Sequence, residues 1–149
     1  MDVGVLGTGP AGLAVAAALA ERGLRVACVA PRPRASWKPT YGVWRDEVPA
    51  DLAGCIAQSW SRPRINIDDG EELDLSHAYS RFDNAALQGE LLARVWDRGG
   101  MLVAGSAEEL RASPHGTSIV LDSGDELEVD LVVDATGYKS RFVRRERGA

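Results

Sequence analysis

Residues Val3 to Ala30 read VGVLGTGPAGLAVAAALAERGLRVACVA. Val3 to Gly7 is a short apolar run that stops at glycine, the pattern of a buried parallel strand. Ala11 to Arg22 is alanine-rich, with Leu13, Ala16, Ala17 and Ala20 at helical spacing, and Gly23 supplies a left-handed stop. Arg25 to Ala30 reads as a second buried strand, ended by Pro31. Strand, tight turn, helix and strand follow one another directly. That order sets the expected fold class: α/β, a Rossmann-like domain built on a parallel sheet, with small antiparallel hairpins further along.

The turn itself is Gly7-Thr8-Gly9-Pro10-Ala11-Gly12, a G-x-G-x-x-G element. Alone that pattern is weak, but here it ends a strand and opens a helix. Gly7 permits the sharp turn. Gly9 lets the backbone approach a pyrophosphate with no β-carbon in the way. Gly12 allows close helix–strand packing. The helix N-terminus offers free N–H groups and a positive dipole end to the phosphates. The plain alternative is a glycine turn in an ordinary α/β unit, and the strand–helix context favours nucleotide binding. An acid is expected about 20 residues on, to hold the ribose hydroxyls. The second strand ends instead at Ala30-Pro31, and Arg32 and Arg34 follow. These two arginines suit a 2′-phosphate, which leaves NADP open beside NAD, or they form a solvated basic loop.

The 149-residue chain is long enough for one domain with a real core, and residues 1–149 are read as a single domain. Its formal charge of −5 argues against a nucleic-acid partner, which calls for a basic face. Cys28 and Cys55 fit no metal or redox spacing and read as small hydrophobes. No apolar run reaches the length of a membrane span, and no basic stretch precedes the first apolar run as in a signal peptide. A cytoplasmic protein is expected. Residues 31–49 hold four of the seven prolines and read as a long ordered loop. Asp51 reads as the cap of a short helix through Ile56. A hairpin is expected around Asp69-Gly70 and another around Pro114-His115-Gly116. Asp83 is a good N-cap for a helix with Leu87, Leu91, Leu92 and Val95 as its apolar stripe. Met101 to Ala104 reads as a strand, and Leu131 to Ala135 as a last buried one.

The order of motifs carries a resemblance. Gly7 to Gly12, with Pro-Ala before the last glycine, is typical of FAD-binding domains, as is a late strand ending in Asp134-Ala135-Thr136-Gly137. Between them lie YGVWRDE (Tyr41 to Glu47), DLAGCIAQSW, the IDDG hairpin and YSRFDNAALQGELL. This order resembles the lycopene cyclase family, specifically its beta-cyclase type, over essentially the whole chain. The phosphate loop and D-A-T-G are shared widely among flavoproteins, whereas YGVW followed by Asp-Glu is specific. The resemblance implies cyclisation of the linear ends of lycopene into beta-ionone rings, an isomerisation begun by proton addition and continued through a carbocation. It implies FAD in its reduced form, with NAD(P)H as reductant and no net electron transfer to the substrate. It also implies work at or near membranes, where the carotenoid is dissolved, so a cytoplasmic chain with peripheral membrane contact.

YGVWRDE suits such chemistry. A carbocation needs π faces, negative charge and exclusion of water. Tyr41 and Trp44 supply π surface, and Asp46 and Glu47 supply charge or, if one is neutral, a proton. Gly42 lets the backbone sit close to a ring. As neighbours on an extended backbone, the two acids would point opposite ways, and the longer Glu47 is favoured as the inward one. The stretch is expected to form part of the wall between flavin and substrate. The alternative is that Tyr41 and Trp44 pack against the sheet while Asp46 and Glu47 cap the following helix. Arg81, in YSRFD, lies where flavoproteins of this shape often hold an arginine near the FAD phosphates. The cofactor set is therefore Gly7, Thr8, Gly9, Pro10, Ala11, Gly12, Arg81, Ala135, Thr136 and Gly137, with no metal site. His77 has no partner pattern, and His115 lies in a turn.

Family members run more than twice this length. The chain is therefore expected to be the N-terminal, FAD-binding part of a cyclase, whether a fragment, a truncated frame or one half of a split protein, lacking the substrate-facing sheet, a last flavin-binding strand and the downstream acidic motif to which the resemblance assigns the catalytic glutamate. Two other readings stay open. One is a flavin-dependent oxidoreductase, such as a monooxygenase or a relative of geranylgeranyl reductase. The other is a nucleotide-binding module without activity.

Overall fold

The computed structural model describes residues 1–67, 70–138 and 140–143. Val3–Leu6 (β1), Pro10–Glu21 (α1) and Val26–Ala30 (β2) come first. Gly42–Trp44 (β3), Ile56–Trp60 (β4), Arg64–Ile67 (β5), Glu71–Asp74 (β6) and Tyr79–Phe82 (β7) follow. Asn84–Asp97 (α2), Met101–Ala104 (β8), Ala107–Ser113 (β9), Gly116–Leu121 (β10), Glu126–Val129 (β11) and Leu131–Asp134 (β12) complete the order. The backbone gathers into two compact units, Met1–Ala35 with Glu90–Ala149, and Ser36–Gly89.

In the first unit, β1 and β2 pair in parallel at the centre of a four-stranded sheet ordered β12-β1-β2-β8. Chain order reverses at β1, between β2 on one side and β12 on the other. In open α/β sheets that reversal opens a crevice at the carboxyl ends of the strands. Every residue of β1 and β2 is buried, because each strand is covered on both faces. One face packs on α1, whose Leu13, Ala16, Ala17 and Ala20 are buried. The other carries Leu6 and Val29 into a cluster with Ile119, Leu121 and Val129 of the antiparallel sheet β11-β10-β9. Leu6, Leu13, Ile119, Val5 and Val26 are among the largest fully buried side chains. Each contributes roughly 1.5–3 kcal/mol of transfer free energy. Small residues set the spacing between layers. A Cβ on Gly4 would stand 2.5 Å from Ile119 Cδ1. The strand at Leu131 to Ala135 was expected to be buried. It forms β12 at a sheet edge instead, only half-buried, with Leu131 56% exposed.

The expected cysteine packing holds. Cys28 and Cys55 are both buried and outside any disulfide. Burial pushes the Cys28 thiol up to about 11, so it is inert at neutral pH.

The second unit departs furthest from the sequence reading. The expected loop at 31–49 contains β3, which pairs antiparallel with β7, and β7 pairs with β4. These strands are three to five residues long, and β3 meets a partner far along the chain, so no local periodicity announces them. The short helix is a 3-10 segment, Ala50–Cys55, with Pro49 rather than Asp51 at its N-cap. The hairpin β5–β6 forms with Gly70 at a φ of +84°. Asp69 of its expected turn lies outside the described residues. Asp83 caps α2 as expected: its Oδ1 accepts from the N–H groups of Ala85 and Ala86 at 2.9 and 3.0 Å.

The tightest approach in the first unit is at Gly12. A Cβ there would collide with the Gly7 carbonyl oxygen and stand 3.3 Å from Ala135 Cβ. Gly12→Ala is expected to lower stability by about 1–3 kcal/mol, since α1 must lift off the sheet. Gly9→Ala, whose added Cβ would meet nothing within 4 Å, is expected to stay within about 1 kcal/mol. Urea unfolding midpoints check the pair, and equal losses would contradict the packing argument.

Candidate functional site

At the carboxyl ends of β1 and β12, three short backbone stretches meet. Gly7 has a φ of +102° and donates its N–H to Val29 O at 2.8 Å. A Cβ on Gly7 would lie 2.7 Å from Ala135 O, so only glycine fits there on both counts. Ala135 donates to Leu6 O at 2.8 Å, which brings the D-A-T-G segment beside the phosphate loop. Pro10 opens α1, where its missing N–H is no loss, and Gly9 is the N-cap with no side-chain cap. No acid sits in the first helical turn. The first-turn N–H groups have no intrahelical acceptor and point to the space beside Gly9. Ala11 is exposed there, whereas Thr8 is buried among its neighbours. A cavity of about 190 Å³ at these strand ends is lined by Gly7, Ala30, Pro31, Ser106, Thr136 and Arg141, among others.

Asp134 organises the segment after β12. Its Oδ1 accepts from the Thr136 N–H at 2.9 Å and the Thr136 hydroxyl at 2.6 Å, and its Oδ2 accepts from the Ser140 hydroxyl. Burial raises this carboxyl, but the hydrogen bonds from Ser140 and Thr136 outweigh it and hold the group below the ordinary carboxylate value. Gly137 then turns the chain at a φ of +88°. The arginines after β2 differ in fate. The Arg34 guanidinium lies over the Trp96 ring at 4.8 Å, and Arg32 is exposed.

The remaining candidates belong to the second unit. Trp44 and Tyr79 face each other across β3 and β7, edge to face with ring centroids 5.3 Å apart. Tyr79 in turn stacks on Trp60 at 6.5 Å. Gly42 makes this possible, because any side chain there would strike the Tyr79 ring. The ring that Gly42 admits is that of Tyr79. Arg81 follows Tyr79 by two residues, on the same face of β7, and is exposed. Beside Trp44 and Tyr79, a cavity of about 370 Å³ is walled by Pro63, Arg64, Ile65 and Leu75. Tyr41 sits apart from this row, edge-on to Trp37 at 5.8 Å.

Asp46 and Glu47 do not lie on extended backbone. They form a 3-10 turn with Arg45, so the expectation that they point to opposite faces fails. Asp46 Oδ1 is 2.6 Å from His77 Nε2, and that hydrogen bond holds its carboxyl below the ordinary value. Glu47 is exposed and makes no ion pair with another described residue. His77, Tyr79 and Trp60 were not singled out from sequence. Tyr79 carried a faint signal in the alternation of YSRF. His77 carried none, since it reaches Asp46 only through the β3–β7 pairing.

Strand order, phosphate-loop geometry and open helix N-terminus together define a Rossmann-like dinucleotide-binding fold. The family described as "Lycopene cyclase protein" matches residues 2–148, and the chain belongs to that family. It is 32% identical over 148 residues to the chloroplastic lycopene beta cyclase of Arabidopsis thaliana, covering 99% of this chain and 30% of that protein. It is 33% identical over 148 residues to the chromoplastic capsanthin/capsorubin synthase of Citrus sinensis, covering 98% of this chain and 29% of that one. The chain thus spans about a third or less of the length of these relatives. Among solved structures, the peptidyl tryptophan dihydroxylase QhpG superposes with a TM-score of 0.64 at 24% identity, over 96% of this chain and 34% of the other. A geranylgeranyl bacteriochlorophyll reductase-like protein from Thermoplasma acidophilum gives 0.65 at 20% identity, over 90% and 38%. These likenesses bear on the fold.

Asp134 generates a pH prediction. Its folded value lies below the ordinary 3.8, so its stabilising share is in place above that pH and is lost as pH falls through the folded value. Asp134→Asn is expected to lose roughly 1 kcal/mol at neutral pH, discounted for partial solvent screening. The gap from the parent should close as the pH drops below 3.8. Urea midpoints between neutral and strongly acid pH measure it, and a gap that stays constant would count against the Asp134 network.

Proposed function

We propose that this chain is the FAD-binding portion of a lycopene beta-cyclase, and that it serves ring closure at the ends of lycopene in carotenoid formation. Membership of the lycopene cyclase family across residues 2–148 carries this reading. Three observations support a dinucleotide at the strand ends. The Gly9 Cβ position is open, the α1 N-terminus is free of acids, and the cavity is bounded by Gly7 and Thr136. The residues fit a pyrophosphate: Gly9 and the first-turn N–H groups would receive it, with Ala135, Thr136 and Gly137 alongside. When bound and reduced, with NAD(P)H as electron source, the flavin supplies a reduced ring while the carotenoid gains no net electrons.

The second unit carries side chains suited to a cation. An acid adds a proton to the end double bond, the neighbouring double bond closes on the resulting cation, and the ring then loses a proton, so composition is unchanged. The Trp44 and Tyr79 faces would steady the positive charge, and Asp46 and Glu47 would supply charge and a proton. Trp60, Ile65 and Leu73 are large apolar side chains 39%, 44% and 50% exposed, which favours peripheral contact with a membrane that dissolves the substrate. No helix among the described residues is long and apolar enough to cross a membrane. The fold is also that of a geranylgeranyl bacteriochlorophyll reductase-like protein, so a flavin-dependent oxidoreductase, a monooxygenase or a relative of geranylgeranyl reductase, is the second reading. Consumption of one NAD(P)H per product molecule would favour it.

Two measurements test the proposal. Flavin fluorescence titrations of the purified chain should show FAD binding, weakened at least about tenfold in Gly9→Val, a loss of 1.4 kcal/mol or more. Equal affinity would end the phosphate-loop assignment. In lycopene-accumulating cells, the chain alone should form no beta-carotene. A chimera in which it replaces the matched part of the Arabidopsis thaliana relative should form it. Flavin retained in that chimera without ring formation would overturn the cyclase reading.

A further inference from the structure

We infer that Ser106 holds the adenosine ribose of the bound nucleotide: a neutral hydroxyl just past β8 takes the place of the acid that the end of β2 lacks. The inference rests on the dinucleotide reading of the strand ends and not on the cyclase reading. From Gly7, the cavity at those ends runs past Ala30 and Pro31 to Gly105, Ser106 and Ala107. Its volume of about 190 Å³ corresponds to about six waters at ~30 Å³ each, room for one sugar or one base and not for a whole dinucleotide. A pyrophosphate received at Gly9 would place the adenosine ribose next, over the end of β2, where an acid is the usual partner. Here β2 closes with Ala30, and among the described residues no acid lines the cavity.

The other polar side chains at this corner are already engaged. Thr136 gives its hydroxyl proton to Asp134 at 2.6 Å, and Arg141 is paired with Glu108. Arg34, beyond the strand, lies over the Trp96 ring. Ser106 also lines the cavity, and its hydroxyl bonds to no described residue. Its backbone is held on both sides by one residue. The Ser106 N–H donates to Asp122 Oδ1 at 3.0 Å, and the Ser106 carbonyl accepts from the Asp122 N–H at 2.9 Å. Gly105, just before it, donates to Ala30 O at 3.0 Å, which draws the chain leaving β8 beside the end of β2. An uncommitted hydroxyl thus sits on fixed backbone next to the position where the acid is missing. A hydroxyl both donates and accepts, so it can pair with the ribose 2′-hydroxyl without carrying charge.

Calorimetric titration of the chain with ADP and with 2′-deoxy-ADP tests the contact. The parent should prefer ADP by about two- to tenfold, the range of one neutral hydrogen bond. Ser106→Ala should bind ADP more weakly by that factor, bind 2′-deoxy-ADP as the parent does, and so lose the preference. Ser106→Thr keeps the hydroxyl and should keep the preference. The alanine variant should unfold at the parent's urea midpoint, because the main chain of Ser106 makes both bonds to Asp122. A preference for ADP that survives in Ser106→Ala would overturn the inference, as would an equal loss of both nucleotides. A parent that binds neither ADP nor FAD would overturn the dinucleotide assignment and this contact with it. ADP bound with a preference that ignores Ser106 would overturn the contact alone.

Discussion

The first unit depends on one close approach. Helix α1 lies against β1 only because Gly12 presents no side chain to the Gly7 carbonyl, with Ala135 Cβ just beyond. Three consequences follow from that spacing. The turn at Gly7 is forced into the positive-φ region that glycine alone enters without strain. The helix N-terminus is left at the carboxyl end of β1, with Gly9 as a cap that carries no side chain. The D-A-T-G segment is drawn beside the loop, because β12 must pair with β1 in register, Asp134 opposite Leu6. A hydrogen bond from Ala135 to Leu6 then fixes the distance. One missing methyl group thus coordinates elements more than a hundred residues apart in sequence.

The two units answer different physical problems. The first offers backbone: N–H groups, a helix dipole and turns that keep side chains away. The second offers side chains, and the question is what holds them. Its ion pairs are exposed, as in Arg64 with Glu72 and Asp74. Such pairs are worth about 0–1 kcal/mol each. Aromatic contacts such as Trp44–Tyr79 and Tyr79–Trp60 add about 0.5–1.5 kcal/mol each beyond the area they bury. The geometry of that unit is therefore governed by its rings and by the glycine that lets one of them lie flat.

How much the sequence disclosed follows from the range of the forces involved. The β1–α1–β2 segment was legible because each of its signals is local: an apolar run, helical spacing, a glycine stop and a turn needing three glycines. The N-cap at Asp83 was legible for the same reason, since a cap acts on residues two and three further along. The strands β3, β4 and β7 were not, because short pieces become strands only through partners distant in sequence. His77 was invisible for the same reason. It meets Asp46 across 31 residues, once β3 and β7 have paired. The edge position of β12 was missed because an apolar run reads alike at the centre and at the rim of a sheet. The tetrad Val3–Leu6 could be called buried with no ambiguity, yet Leu131 could not.

The placing of the cysteines has a practical corollary. Each unit holds one reduced thiol, Cys28 in the first and Cys55 in the second, and both are shut away from solvent. Neither can meet a reagent until its own surroundings open. The rate at which an alkylating probe marks each one is then a clock for local opening, read unit by unit in a single sample. Mass spectrometry of the two tagged peptides would rank the units by resistance to fluctuation, with no residue replaced.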